Sequence, residues 1–326
     1  MSDAQLNERA WSFVEAQLAV NELLASRCAG IEGGGRVIDC GIPGDGAQEA
    51  GLFLARLTLC DLAEVSIAPG DGSETPFDRV FVKTSEPIAA CMASQYAGWQ
   101  LSIGDFFAMG SGPMRAAYGG EELFADIGHV EKAARVIGAL ETRQRPSAEV
   151  FDFIASKTGV EPQNITLAIA PTASIAGGVQ VVARSVETAL HKLHELGFDL
   201  SRVRAGSGSA PIPPTAADDL AAIGRTNDAV LYGARVELEV TGDDESISEL
   251  GARTPSCASE DHGALFIEIF ERYDRDFYRI DPGLFSPAEI TLAKARSTST
   301  KILTTFWRTF RGFQKPSWKY SWTAKS

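Results

Sequence analysis

Arg184, Glu187, His191 and His194 recur at spacings of three and four residues, which on an α-helix sets them along one face. A carboxylate beside a fixed cation can take a proton from water as base and return it as acid. The guanidinium orients that carboxylate through hydrogen bonds and favours its ionised form. An electrophile that is already cationic would need little more. The plainer reading of the same residues is a solvated helix face with an Arg184–Glu187 ion pair, worth about 0.2–0.5 kcal/mol. His191-Lys-Leu-His194 lacks the His-Glu-x-x-His pattern, and two histidines three apart rarely hold a metal.

Glycine marks two further regions. Gly110-Ser111-Gly112-Pro113 would let a backbone approach an anion or a flat ring closely, or would simply make a tight turn. It is neither a Walker loop nor a complete dinucleotide fingerprint. Gly206-Ser-Gly208 and Gly224-Arg225-Thr-Asn227-Asp228 form a second polar region. Asn227 and Asp228 have the groups to hydrogen-bond a heterocycle, and equally the chemistry to cap a turn before a strand. No Gly-x-Ser-x-Gly elbow occurs, so an α/β-hydrolase serine has no support.

These residues need elements to position them. Apolar spacing predicts helices over 6–28, 47–59, from Pro87 to near Gly98, 130–142, 148–158, from Gly178 to Leu196 with Gly197 as its C-cap, and 244–253. Strands are predicted over 36–40, 62–68, 79–84, 164–170 and 229–241, and the glycine- and proline-rich 204–214 reads as loop. The alternation predicts an α/β (α+β) fold. The 326 residues suit two modest domains or one large one; two are placed at 1–155 and 156–292, followed by a distinct tail at 293–326.

That tail holds eight of the 30 basic residues, none of the 43 acidic ones and three of the five tryptophans. The net charge of −13 argues against nucleic acid or an anionic membrane as partner. No run of about 18 apolar residues occurs, so no transmembrane helix is predicted. Met1 to Ala10 lack the basic-then-apolar pattern of an export leader, which predicts a cytoplasmic protein. Five scattered cysteines at no metal-finger spacing read as reduced, mostly buried thiols.

A set of short stretches then resembles methenyltetrahydromethanopterin cyclohydrolases. They are Val37-Ile-Asp-Cys-Gly41, Gly110-Ser-Gly-Pro113, Ala170-Pro-Thr172-Ala-Ser174-Ile-Ala176, Gly178-Val-Gln180 and Arg184-Ser-Val-Glu-Thr188. Ala210-Pro-Ile212, Gly224-Arg-Thr-Asn-Asp228, Pro255-Ser-Cys-Ala-Ser259 and Asp276-Phe-Tyr278 continue the family's order, across roughly residues 5–290. The resemblance implies reversible hydrolysis of a methenyl bridge to the N5-formyl carrier in one-carbon metabolism, with no metal, nucleotide or other cofactor. It implies two α/β domains flanking a large cleft, and a homotrimer. It assigns catalysis to Arg184 and Glu187 and contacts to the pterin substrate to Gly110, Ser111, Gly112, Pro113, Glu141, Thr172, Ser174, Arg225, Asn227 and Asp228. A non-catalytic pterin-binding relative is the competing expectation. The tail does not resemble the family's usual ending.

Overall fold

A computed structural model of the chain describes residues 5–41, 43–44, 46–70, 76–294 and 301–306. The strands in chain order are β1 (Cys28–Gly30), β2 (Arg36–Asp39), β3 (Ala63–Ala68), β4 (Arg79–Thr84), β5 (Trp99–Ile103) and β6 (Phe106–Ser111). There follow β7 (Val136–Glu141), β8 (Ile165–Ala170), β9 (Val203–Pro211), β10 (Arg235–Val240), β11 (Glu289–Lys294) and β12 (Lys301–Phe306). The helices are α1 (Leu6–Val20), α2 (Glu22–Ser26), α3 (Ala47–Thr58), α4 (Met114–Tyr118), α5 (Leu123–Ile127) and α6 (Ala148–Thr158). After them come α7 (Ile175–Val182), α8 (Ser185–Glu195), α9 (Asp219–Gly233), α10 (Asp244–Gly251) and α11 (Phe266–Arg272). The predicted helix after Pro87 is a π-helix, Ile88–Gln95.

The fold is mixed α/β, with two six-stranded sheets ordered β1-β2-β8-β7-β6-β5 and β12-β11-β10-β9-β4-β3. Two compact units result, residues 1–64 with 88–180 and residues 65–87 with 181–326. The division falls at 180/181 rather than near residue 155, because β8 pairs in parallel with both β2 and β7.

In the first unit the apolar residues of β7 and β8 alternate between two cores. Ile137, Ala139, Ala168 and Ala170 face Phe53 and Leu57 of α3, Phe13 of α1 and Ala176 of α7. Val136, Leu140, Leu167 and Ile169 face Phe151 and Ile154 of α6. The helix that follows β7 therefore covers one face of the sheet, and the helix that follows β8 covers the other. That change of side is a topological switch, whose crevice at the carboxyl ends of parallel strands is where α/β sheets take ligands.

Residues 130–142, predicted helical, are extended from Val136 to Glu141. A run buried on both faces has no period to distinguish a strand from a helix. In the second unit the predicted loop 204–214 is instead strand β9, paired antiparallel with both β4 and β10. Its glycines are a packing requirement described below. The predicted strand from 229 begins only at Arg235, because α9 runs through Gly233. Of the tail, β12 pairs antiparallel with β11; residues 295–300 and 307–326, with the three tryptophans, lie outside the described residues.

Candidate active site

The predicted helix from Gly178 to Leu196 is two helices, broken at Ala183 and Arg184. Consecutive β-branched residues, Val181 and Val182, weaken the helix there. The Arg184 N–H reaches back only three residues, to the Val181 carbonyl at 3.1 Å. Arg184 thus becomes the N-cap residue of α8, with φ −83° and ψ 11°. Its carbonyl accepts from Thr188 twice, from the backbone N–H at 2.8 Å and from the hydroxyl at 2.7 Å. The threonine of the Arg-x-x-Glu-Thr motif therefore fixes the arginine's backbone.

Glu187 is the third residue of α8 and only 6% exposed. A solvated helix face is therefore not what the fold makes of it. The carboxylate stands in the first turn, where unsatisfied N–H groups and the helix dipole favour negative charge. Arg184 is half-buried.

Two glycines of β9 let α8 lie this close to the sheet. A Cβ on Gly208 would fall 2.5 Å from Ser185 Oγ and 3.0 Å from Val186 Cγ2. One on Gly206 would fall 2.8 Å from Val186 Cγ1. Gly206-Ser-Gly208 is thus the seat of the turn that carries Glu187. The far end of α8 is held by Lys192, whose ammonium donates to the Gly283 carbonyl at 2.6 Å. Burial pulls the Lys192 ammonium below its usual pKa, and Asp281 offsets part of that. Gly197, at φ +79°, closes the helix by donating to the His194 carbonyl, as predicted. His191 stands 3.8 Å from Glu195, one turn on.

The remaining candidates of the second unit lie on α9 and are engaged by the protein. Arg225 Nη1 donates to the Pro214 and Thr215 carbonyls at 3.1 and 2.6 Å. Asn227 Nδ2 donates to the Ile223 carbonyl at 2.9 Å. Asp228 accepts the Phe266 N–H at 2.8 Å, which ties α9 to the first turn of α11. Burial pushes the Asp228 carboxyl up to about 7, against the lowering effect of that hydrogen bond.

In the first unit the candidates separate into two groups. Glu141 ends β7 opposite Ala170 at the end of β8, and the Thr142 N–H donates to the Ala170 carbonyl. Thr172 and Ser174 follow immediately, so Glu141, Thr172 and Ser174 share the carboxyl end of the sheet at the switch. Ser174 Oγ accepts the Gly177 N–H at 3.0 Å and donates to the Pro171 carbonyl at 2.7 Å, which starts α7.

Gly110–Pro113 does not join them. Antiparallel β6 places Met109 opposite Glu141 but Ser111 opposite Ala139, so the motif runs toward the other end of β7. Gly110 is packed under Leu101 and Met114, and Gly112 takes φ +92° and donates to the Ser94 carbonyl. The Pro113 carbonyl accepts from Asn7, whose other amide atom accepts the Ile137 N–H. Ser111 is buried beside it.

Among the described residues no three His, Cys, Asp or Glu are grouped as a metal site, and no helix is long and apolar enough to cross a membrane.

The family model described as Cyclohydrolase (MCH) matches residues 5–305. A methenyltetrahydromethanopterin cyclohydrolase of Rhodopirellula baltica is 46% identical over 273 residues, 82% of each chain. One of Xanthobacter autotrophicus is 49% identical over 257 residues, 78% of this chain and 76% of its own. One of Methanosarcina barkeri is 39% identical over 298 residues, 90% of this chain and 93% of its own.

Proposed function

This chain belongs to the methenyltetrahydromethanopterin cyclohydrolase family, and we propose that Glu187 and Arg184 carry the family's reaction here. The protein is an enzyme that hydrolyses the methenyl bridge of 5,10-methenyltetrahydromethanopterin to the N5-formyl carrier, reversibly, in one-carbon metabolism.

The observation that carries the assignment is the buried carboxylate of Glu187 in the first turn of α8, three residues from an arginine whose backbone is locked by Thr188. The methenyl carbon lies between two nitrogens as an amidinium cation, so water attacks it without a Lewis acid. As the C–O bond forms, Glu187 takes one proton from that water. The adduct is then neutral and tetrahedral. On collapse the C–N10 bond breaks with its electron pair on N10, and Glu187 returns its proton to that nitrogen. The hydroxyl proton leaves as the formyl C=O forms. The sum is substrate cation plus water to formyl product plus one proton. Arg184 orients the carboxylate and favours its ionised state.

Binding of the ring is assigned to Glu141, Thr172 and Ser174, to Gly110–Pro113, and to Arg225, Asn227 and Asp228. The bonds described above already give those last two groups structural work. The enzyme needs no metal or other cofactor, works in the cytoplasm and assembles as a homotrimer. Exhaustive chelation and light scattering after size exclusion check the metal and the trimer respectively. The direct test follows loss of the methenyl chromophore with purified protein, offering methanopterin-type and folate-type carriers and subtracting the spontaneous rate. Turnover of the methanopterin-type carrier is the expected result. Retention of bound carrier without turnover would mark a non-catalytic pterin binder instead.

A further inference from the structure

The edge hairpin of the first sheet has two faces of different character. Trp99, Leu101 and Ile103 of β5 and Phe106 and Ala108 of β6 pack into the core against α6. The alternate residues lie on the opposite face, as the period of a strand requires. There Gln100 and Ser102 are exposed and polar, the ordinary composition of a solvated face. Phe107, directly opposite Ser102, breaks that pattern. It is 53% exposed, the most exposed phenylalanine among the described residues. Met109, two residues on and on the same face, is half-buried.

Strand register carries this face to the proposed ring site. Met109 lies directly opposite Glu141, so the two share a face and Phe107 is the diagonal neighbour of the carboxylate. Diagonal neighbours stand about 7–8 Å apart, within reach of an aromatic side chain. Glu141 in turn lies opposite Ala170 at the carboxyl end of β8. Ala139 and Ala170 belong to the core under α3 and α7, so Glu141 continues their face to the end of the sheet where Thr172 and Ser174 follow.

We propose that Phe107, with Met109, is the platform on which the flat cationic part of the methenyl carrier lies, with Glu141 as the counter-charge beside it. This deepens the pterin reading given above and rests on it. An aromatic face attracts a cation through its quadrupole, and a thioether packs favourably against a flat ring. A carboxylate on the same face adds charge of the right sign. The three together suit a flat cation, whereas Glu141 would repel a phosphate or carboxylate ligand. The methenyl amidinium is such a cation and the formyl product is not, so the platform favours the carrier in the form that reacts with water.

The test is steady-state kinetics and thermal unfolding on Phe107→Leu and Phe107→Trp. Leucine keeps apolar area and loses the ring face, while tryptophan offers the best such face. Phe107→Leu should raise KM for the methenyl carrier about five- to tenfold with kcat within roughly threefold, the pattern of lost ground-state binding. Phe107→Trp should keep KM within roughly twofold of wild type or lower it. Both should keep Tm, because the side chain is exposed. An unchanged KM in Phe107→Leu would overturn the proposal. So would a KM rise that tracks loss of assembled mass in light scattering, which would make Phe107 a subunit contact. Failure of the wild-type protein to turn over any methenyl carrier would overturn the underlying reading instead, so the two failures are distinguishable.

Discussion

Arg115 with Glu121 and Arg184 with Glu187 bring the same residue types together in each unit, and the fold treats them differently. In the first unit Arg115 is fully buried. Its Nε and Nη2 donate to the two Glu121 oxygens at 2.8 and 2.6 Å, and Nη1 donates to the Met92 carbonyl at 2.8 Å. The rings of Tyr96 and Phe124 cover the guanidinium at 4.9 and 5.4 Å. In the second unit Arg184 keeps part of its surface, and Glu187 occupies the electropositive start of a helix. The first pair is a brace that holds the carbonyl end of the π-helix. The second places a buried carboxylate in the first turn of a helix, the position proposed above for the chemistry. Residue types alone do not separate the two; what covers the guanidinium and where the carboxylate sits in its helix do.

That contrast is most easily broken by exchanging the damage. Arg115→Met leaves Glu121 and a buried carbonyl without their partner, so it should cost on the order of 3 kcal/mol of stability. Denaturant unfolding would show it, while the protein that remains folded keeps its normal kcat. A fall in kcat at unchanged stability would mean that Arg115, too, serves the chemistry.

A smaller effect should come from the seat of α8. Gly208→Ala forces a methyl against Ser185 and Val186, and such overpacking costs about 1–3 kcal/mol. Because the displaced turn carries Glu187, kcat should fall as well, by about tenfold for a shift of a few tenths of an ångström. The same exchange at Gly30, where no atom lies within 4 Å of the added carbon, should leave both quantities alone.

A third effect is the pH slope set by Asp228. Its carboxyl titrates at about 7 in the fold, raised by burial, against about 3.9 in an unfolded chain. Between those values the folded state binds more protons than the unfolded one, so stability falls as pH rises from about 4 to 7. Asp228→Asn keeps an oxygen for the Phe266 N–H and removes the titration. It should flatten that part of the profile and raise Tm relative to wild type at pH 8 more than at pH 5.

Much of the fold was legible from pattern. Helix α3, strands β2, β4 and β8 and the Gly197 cap stand where apolar spacing and turn chemistry put them. Strand β7 was not legible, since Val136–Leu140 is buried on both faces and carries no period. Nor was β9, because its glycines are selected by the helix packed across them and not by a turn. The same long-range packing hid the site's supports. Nothing local marks Gly208 as the partner of Ser185, or Lys192, on a face that spacing alone leaves open, as an anchor to Gly283. Arg184 and Glu187 were visible as a spacing, and their motif as a family resemblance. The burial that separates Glu187 from a surface ion pair appears only in the fold.

Glu187→Gln tests the central claim most directly. The exchange preserves shape and removes the base, and positioned acid–base catalysis is worth roughly 10²–10⁴-fold in rate. After subtraction of the spontaneous hydrolysis, kcat on the methenyl carrier should fall by about that factor, with KM changed far less. Arg184→Ala should also be severe, and the double variant little worse than the worse single one, because the two act as a unit. A correctly folded Glu187→Gln enzyme with near-normal kcat would contradict the account, and would leave Glu187 as a buried structural carboxylate.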